Sequence, residues 1–270
     1  KKSTVFSKKS TVFSKKSMGF YGRPFEQGAY DVDGVHYYGL DGLPDRLSIC
    51  KAPFPREREL SLLVPRSQKL ARDLSEERTI ASKDYDGMKL TARVNKNLMA
   101  FYETYPTSML NDNIVSRWAM YANTPMDGEV KGQAYDSLRE MLKGLSQKDA
   151  VSRLLNMLQT GLEYEYDSKV WGHDRAFFSE ETLYYPYADC EDRAILLSRL
   201  VRDLLGLRCI LVFYPGHLAM AVGFTEEVKG DYILLDNSRY VVCDPTYIGA
   251  PVGVTMKGMD NASAKVILLE

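Results

Sequence analysis

Apolar positions in the second half of the chain follow two periods in succession, first helical and then strand-like. Tyr135, Leu138, Met141, Leu142 and Leu145 recur at three- and four-residue spacing from about residue 133, as on one face of a helix. Ser146-Gln147-Lys148-Asp149 reads as a capping box, a hydroxyl N-cap with an acid at the third helical position. It opens a second helix through Val151, Leu154, Leu155 and Leu158 that stops at Gly161. A third helix starts at Cys190. Ala194, Leu197, Val201, Leu204 and Leu205 form its stripe, Ile195 and Leu200 flank it, and Gly206 is suited to the left-handed end. Short apolar runs follow at Cys209–Tyr214, His217–Phe224, Tyr232–Leu235, Tyr240–Asp244 and Lys265–Leu269, with Pro215-Gly216 as a turn. Helices followed by a series of antiparallel strands predict an α+β fold.

The first half is less regular. Residues 1–17 repeat a basic heptad, so residues 1–19 are set apart as a tag-like or disordered tail. Residues 20–128 read as a mixed or β-rich flank. Phe20-Tyr21-Gly22, Tyr30 and His36-Tyr37-Tyr38-Gly39 suggest short strands, as do Leu60 to Leu63 and the alternating stretch Met88 to Val94. Asp31-Val32-Asp33-Gly34 lacks the further ligands of a calcium loop and is read as a turn. Val115 to Tyr121, which carries Trp118, is read as a core helix. Residues 129–270 then form the domain that carries the chemistry.

Composition narrows the function classes. The 270 residues are 45% hydrophobic and 26% charged with a net charge of −1, which gives no electrostatic reason to expect nucleic acid. No run reaches the roughly 18–20 apolar residues of a membrane span. The first residues carry no signal-peptide pattern and do not begin with Met. Four cysteines without a Cys-x-x-Cys pair, and three histidines, predict neither a disulfide framework nor a zinc site. Cys209 and Cys243 are expected to be buried thiols. His173 is expected to be a solvated loop residue, and the sequon at Asn261 carries no weight by itself.

Candidate chemistry centres on Cys190. With Asp189 as N-cap, Cys190 is the first helical residue, where the helix dipole and free N–H groups favour a thiolate. Its N–H could also face a developing oxyanion. Glu191 and Asp192 act in the opposite sense, raising the thiol pKa. Position alone therefore does not activate this cysteine, and a histidine partner is required. On the strand 217–224, His217 shares a face with Ala219, Ala221 and Gly223, while Leu218, Met220, Val222 and Phe224 point to the other side. The small-residue face is expected to leave room for a helix end or a substrate, with the other face in the core. Asp244, held extended by Pro245, is placed to orient an imidazole. A simple up-down-up meander would separate His217 from Asp244 by ~20 Å. The triad therefore requires the strand ending at Asp244 to lie antiparallel beside the strand starting at His217.

Together, Ala188-Asp189-Cys190-Glu191-Asp192, the Leu- and Arg-containing helix after it, Gly216-His217 and Cys243-Asp244-Pro245-Thr246 resemble the transglutaminase-like superfamily of papain-like cysteine enzymes. The resemblance covers roughly residues 160–250, and Ala188 stands where the family usually has glycine. It implies a papain-like core, a nucleophile-bearing helix packed on an antiparallel sheet, with Cys190 as nucleophile, His217 as base and Asp244 as orienter. It also implies an oxyanion-side aromatic, for which Trp171 and then Tyr187 are candidates, grouped with Asp189. The implied activity is acyl transfer without a cofactor on a peptide or protein, cell-wall peptide included, in an extracytoplasmic setting. The rival expectation is an inactive relative that binds peptide or glycan in a groove lined by Trp171, Tyr184, Tyr185 and Tyr187.

Overall fold

The computed structural model of the protein describes residues 25–32, 35–40, 70–104 and 114–270. The basic repeat, the aromatic cluster at Phe20 to Gly22 and the strand expected at Leu60 to Leu63 lie outside them. The chain divides into two compact units, Lys1–Leu63 with Glu103–Arg117, and Val64–Tyr102 with Trp118–Glu270. In the first unit, β1 (Phe25–Val32) pairs antiparallel with β2 (Val35–Leu40), Val32 opposite Val35, while the turn expected at Asp33-Gly34 lies outside the described residues.

The second unit is mixed α+β. Its first elements are the antiparallel pair β3 (Arg78–Ala81) and β4 (Lys89–Ala92), followed by α1 (Lys96–Tyr102). Helix α2 (Ile114–Asn123) buries Trp118, whose ring centroid lies 5.2 Å from that of Phe213, the core role expected of it. Helix α3 (Gly128–Leu142) starts earlier than the apolar period suggests, because Asp127 Oδ1 accepts the N–H of Glu129 at 2.8 Å and caps it. Helix α4 (Gln147–Gly161) begins on Ser146, whose Oγ accepts the Asp149 N–H at 3.1 Å. Gly161 has a second reason to be glycine. A Cβ there would sit 2.6 Å from the Ala81 carbonyl oxygen, so the end of α4 meets the backbone of β3 directly.

Two short helices, α5 (Asp167–Val170) and α6 (Ser179–Tyr184), lead into α7 (Cys190–Leu205), which ends at Gly206 with φ 65° as its sequence implies. Strands β5 (Arg208–Tyr214), β6 (His217–Gly223), β7 (Tyr232–Leu235), β8 (Ser238–Cys243) and β9 (Lys265–Leu268) make one antiparallel sheet of order β7-β8-β6-β5-β9. Helix α7 packs on β5 and β6 and is surrounded on its other sides by α3, α4 and α6.

Two expectations change at this level. Helix α7 is not a one-sided amphipathic helix. Residues 190–198 are buried all round, including Glu191, Asp192 and Arg193, because the sheet and three helices enclose its first turns. The small-residue face of β6 is not an open surface either. Ala219 and Ala221 pack with Ile210, Val212, Tyr214, Ile233 and Tyr240, and Met259, Ala264 and Val266 cover them. The segment after β8 that carries Met259 and Ala264 has too little apolar periodicity to announce this role in the sequence.

Helix α6 also buries a carboxylate. Glu180 is 1% exposed, accepts the Asp127 N–H through Oε1, and lies 3.5 Å from the Tyr102 hydroxyl through Oε2. Burial pushes its pKa up to about 7 against the partial relief of the Asp127 N–H. The folded protein therefore holds this proton through a pH range in which the unfolded chain, near 4.5, has released it. By linkage this contribution is complete below about pH 4.5 and declines as pH rises to about 7. Thermal unfolding should show that Glu180→Gln flattens this decline and stabilises the protein at pH 8, by up to about 3 kcal/mol.

Candidate active site

The sheet order supplies the pairing that a triad needs. The connection from β6 to β8 passes through β7, yet β8 and not β7 lies beside β6, with Met220 opposite Cys243 and Val222 opposite Val241. Continuing that register sets Asp244 beside Ala219, one diagonal step from His217 on the same face. His217 Nε2 and Asp244 Oδ2 are 2.7 Å apart, with both side chains buried. A carboxylate only accepts, so Nε2 carries the proton and Nδ1 is the nitrogen that can take another.

Asp244 is held from three directions. Its Oδ1 accepts the backbone N–H groups of Thr246 at 2.9 Å and Tyr247 at 3.2 Å. The Gln159 side chain, 3% exposed on α4, donates through Nε2 to the carbonyls of Asp244, Tyr247 and Ala250 at 2.9–3.0 Å. The imidazole is stacked at 15° to the Tyr214 ring, centroids 6.2 Å apart. Tyr214 donates its hydroxyl hydrogen to Asn261 Oδ1 at 2.7 Å, and Asn261 Nδ2 donates to Thr255. The Asn261 amide is therefore engaged in packing the His217 face.

Cys190 opens α7 as its first residue, preceded by Asp189 in extended conformation at the N-cap. Asp192 locks this turn. Its Oδ2 accepts the Asp189 N–H at 3.3 Å and its Oδ1 accepts the Phe177 N–H at 2.8 Å. Arg193, 1% exposed, directs Nε to the Ala188 carbonyl and its terminal nitrogens to the carbonyls of Leu158, Gln159 and Leu162. The guanidinium thus ties the approach to Cys190 to the end of α4.

The thiol itself donates to Glu191 Oε2 at 3.1 Å. Burial pushes its pKa far up, and the charges of Glu191 and Asp189 add to that. A backbone hydrogen bond from Leu218, the residue after His217, acts the other way. The opposition from Glu191 was legible in the sequence, but its direct hydrogen bond to the thiol was not. Burial likewise pushes the Asp189 carboxyl up to about 9, helped by the charges of Glu191 and Asp167.

Trp171 packs edge-on to Phe177 and Tyr185, centroids 5.8 and 4.8 Å away, with the Arg175 guanidinium 4.5 Å above its ring. Tyr184 joins the cluster through Tyr185 at 5.0 Å. Tyr187 is exposed and bridges to Glu163 through the backbone. The pKa of Tyr164 is raised first by burial and then by the charges of Cys190 and Asp189. Nothing in its sequence context distinguished it from the neighbouring Tyr166. His173 is exposed and Cys209 and Cys243 are free buried thiols, as expected, and Cys190 is also a free buried thiol. Among the described residues no helix is long and apolar enough to cross a membrane. No protein-family model matches this chain, and no curated protein sequence matches it.

Proposed function

We propose that the protein is a cysteine-dependent acyl-transfer enzyme of transglutaminase-like type acting on peptide or protein amides. The observation that carries this reading is the 2.7 Å contact of His217 Nε2 with Asp244 Oδ2, made across adjacent strands at the strand end where the Cys190 sulfur meets Leu218. With Asp244 fixing the tautomer, His217 Nδ1 accepts the Cys190 proton as sulfur attacks the carbonyl carbon. The Cys190 N–H faces the oxyanion that forms. Collapse of the tetrahedral adduct expels the amine, which takes the proton from His217. Water then attacks the thioester, His217 again moving the proton, and the acid is released. Hydrolysis is preferred over crosslinking because water needs no acceptor site.

Burial and two carboxylates hold the resting sulfur as a thiol, so the proton leaves during attack and not beforehand. The same observation favours the rival reading, a binding module in which Trp171, Tyr184 and Tyr185 contact peptide or glycan around an inert thiol. An activated ester separates the two. Incubation with p-nitrophenyl acetate should add one acetyl group to Cys190, detected by peptide mass spectrometry, and Cys190→Ala should lose it. Acetyl groups only on Cys209, Cys243 or lysines would support the binding module.

A further inference from the structure

The last turn of α4 touches both halves of the site. Every other buried residue of α4 is apolar, whereas Gln159 is an amide only 3% exposed. Burying an amide costs free energy unless its N–H groups find acceptors. Here Nε2 donates to the carbonyls of Asp244 at 3.0 Å, Tyr247 at 2.9 Å and Ala250 at 3.0 Å. Two N–H hydrogens face three acceptors, so one hydrogen is shared, and an oxygen could not stand in that place.

The three acceptors span the chain that leaves β8. Asp244 Oδ1 turns back to the N–H groups of Thr246 and Tyr247, and the Ala250 N–H donates to the Tyr247 carbonyl at 3.0 Å. These bonds fix the loop's shape, and the Gln159 amide ties that shape to α4, 85 residues away along the chain. The main chain of Gln159 serves the other half. Its carbonyl is one of the last four of α4, which have no N–H partner within the helix. Arg193 Nη1 donates to it at 3.5 Å, while Arg193 Nε donates to Ala188 at 3.1 Å. Gln159 therefore links the loop of Asp244 to the approach to Cys190.

We propose that Gln159 is a positioning residue, one that holds the Asp244 carboxylate in line with His217 and in register with the helix bearing Cys190. Its part in turnover rests on the acyl-transfer reading, whereas its hold on the His217–Asp244 pair does not. With Gln159 in place, Asp244 Oδ2 stays 2.7 Å from His217 Nε2. Without it the Asp244, Tyr247 and Ala250 carbonyls lose this donor. The loop relieves that cost by turning them toward water, which carries Asp244 away from the imidazole.

The test is nuclear magnetic resonance on the full-length chain with its histidines labelled in nitrogen. The sequence has three, His36, His173 and His217, so the imidazole N–H signals are few. In the wild type His217 should show a downfield, slowly exchanging Nε2–H, the signature of its bond to Asp244. Gln159→Met keeps the side-chain length and the helix propensity while removing the donor. In that variant the resonance should shift upfield or vanish, and kcat for p-nitrophenyl acetate should fall about 100-fold with KM unchanged. Leu154→Ala, which opens a cavity on the same helix, should lower the melting temperature and leave the resonance in place, separating positioning from general destabilisation. Gln159→Asn, an amide one methylene shorter, gives the same reading should Gln159→Met not fold. A resonance lost in the variant supports the proposal even where the wild type turns over no ester, so the two readings fail separately. A wild type without the downfield Nε2–H, or a folded variant that keeps it, would overturn the proposal.

Discussion

Asp244→Asn should slow acyl transfer by about 10,000-fold with little loss of stability, the scale found when the orienting carboxylate of a triad becomes an amide. The reason lies in which atoms Asp244 serves. Its Oδ1 accepts two backbone N–H groups, from Thr246 and Tyr247, so an asparagine would keep its carbonyl oxygen there. The amide nitrogen would then face His217 Nε2, where Asp244 Oδ2 now stands at 2.7 Å. A donor in that place requires an unprotonated Nε2 and moves the proton to Nδ1, the nitrogen that must take the Cys190 proton. The fold keeps its hydrogen bonds while the base is disabled. Ester turnover and melting temperature, measured together on the variant, separate this outcome from general damage.

Arg193→Met should cost about 3–5 kcal/mol, lowering the melting temperature by roughly 10 °C or more for a domain of this size. Removing the guanidinium leaves four carbonyls, at Leu158, Gln159, Leu162 and Ala188, facing an apolar side chain in a buried space. The contacts to Ala188 and Leu162, both 3.1 Å, carry most of the effect, since those to Leu158 and Gln159 are at 3.5 Å. Lysine should rescue little, because one ammonium cannot span carbonyls that a planar fork reaches together. Circular-dichroism melting of both variants checks this.

These two residues show how far local pattern carries. The N-cap at Asp189, the start of α7 on Cys190 and its stop at Gly206 are fixed by neighbouring residues and are legible in sequence. So are the limits of α4, set by Ser146 and Gly161. The need for β8 beside β6 was legible as a condition on the chemistry, although strand order itself depends on contacts far apart along the chain. Arg193 and Gln159 were not legible as residues that hold the site. Each acts through partners dozens of positions away or across an irregular loop, and periodicity reports a face without naming what meets it. The burial of both faces of β6 depends on the weakly patterned segment that carries Met259 and Ala264.

The central claim is that His217 activates Cys190. It is tested by the rate at which iodoacetamide alkylates Cys190 at pH 7, compared with Cys209 in the same molecule and with Cys190 in His217→Ala. The account predicts that Cys190 reacts at least ~100-fold faster than Cys209, and that His217→Ala removes this advantage, the usual scale of a positioned general base. Cys190 alkylation no faster than that of Cys209, or unaffected by His217→Ala, would contradict it.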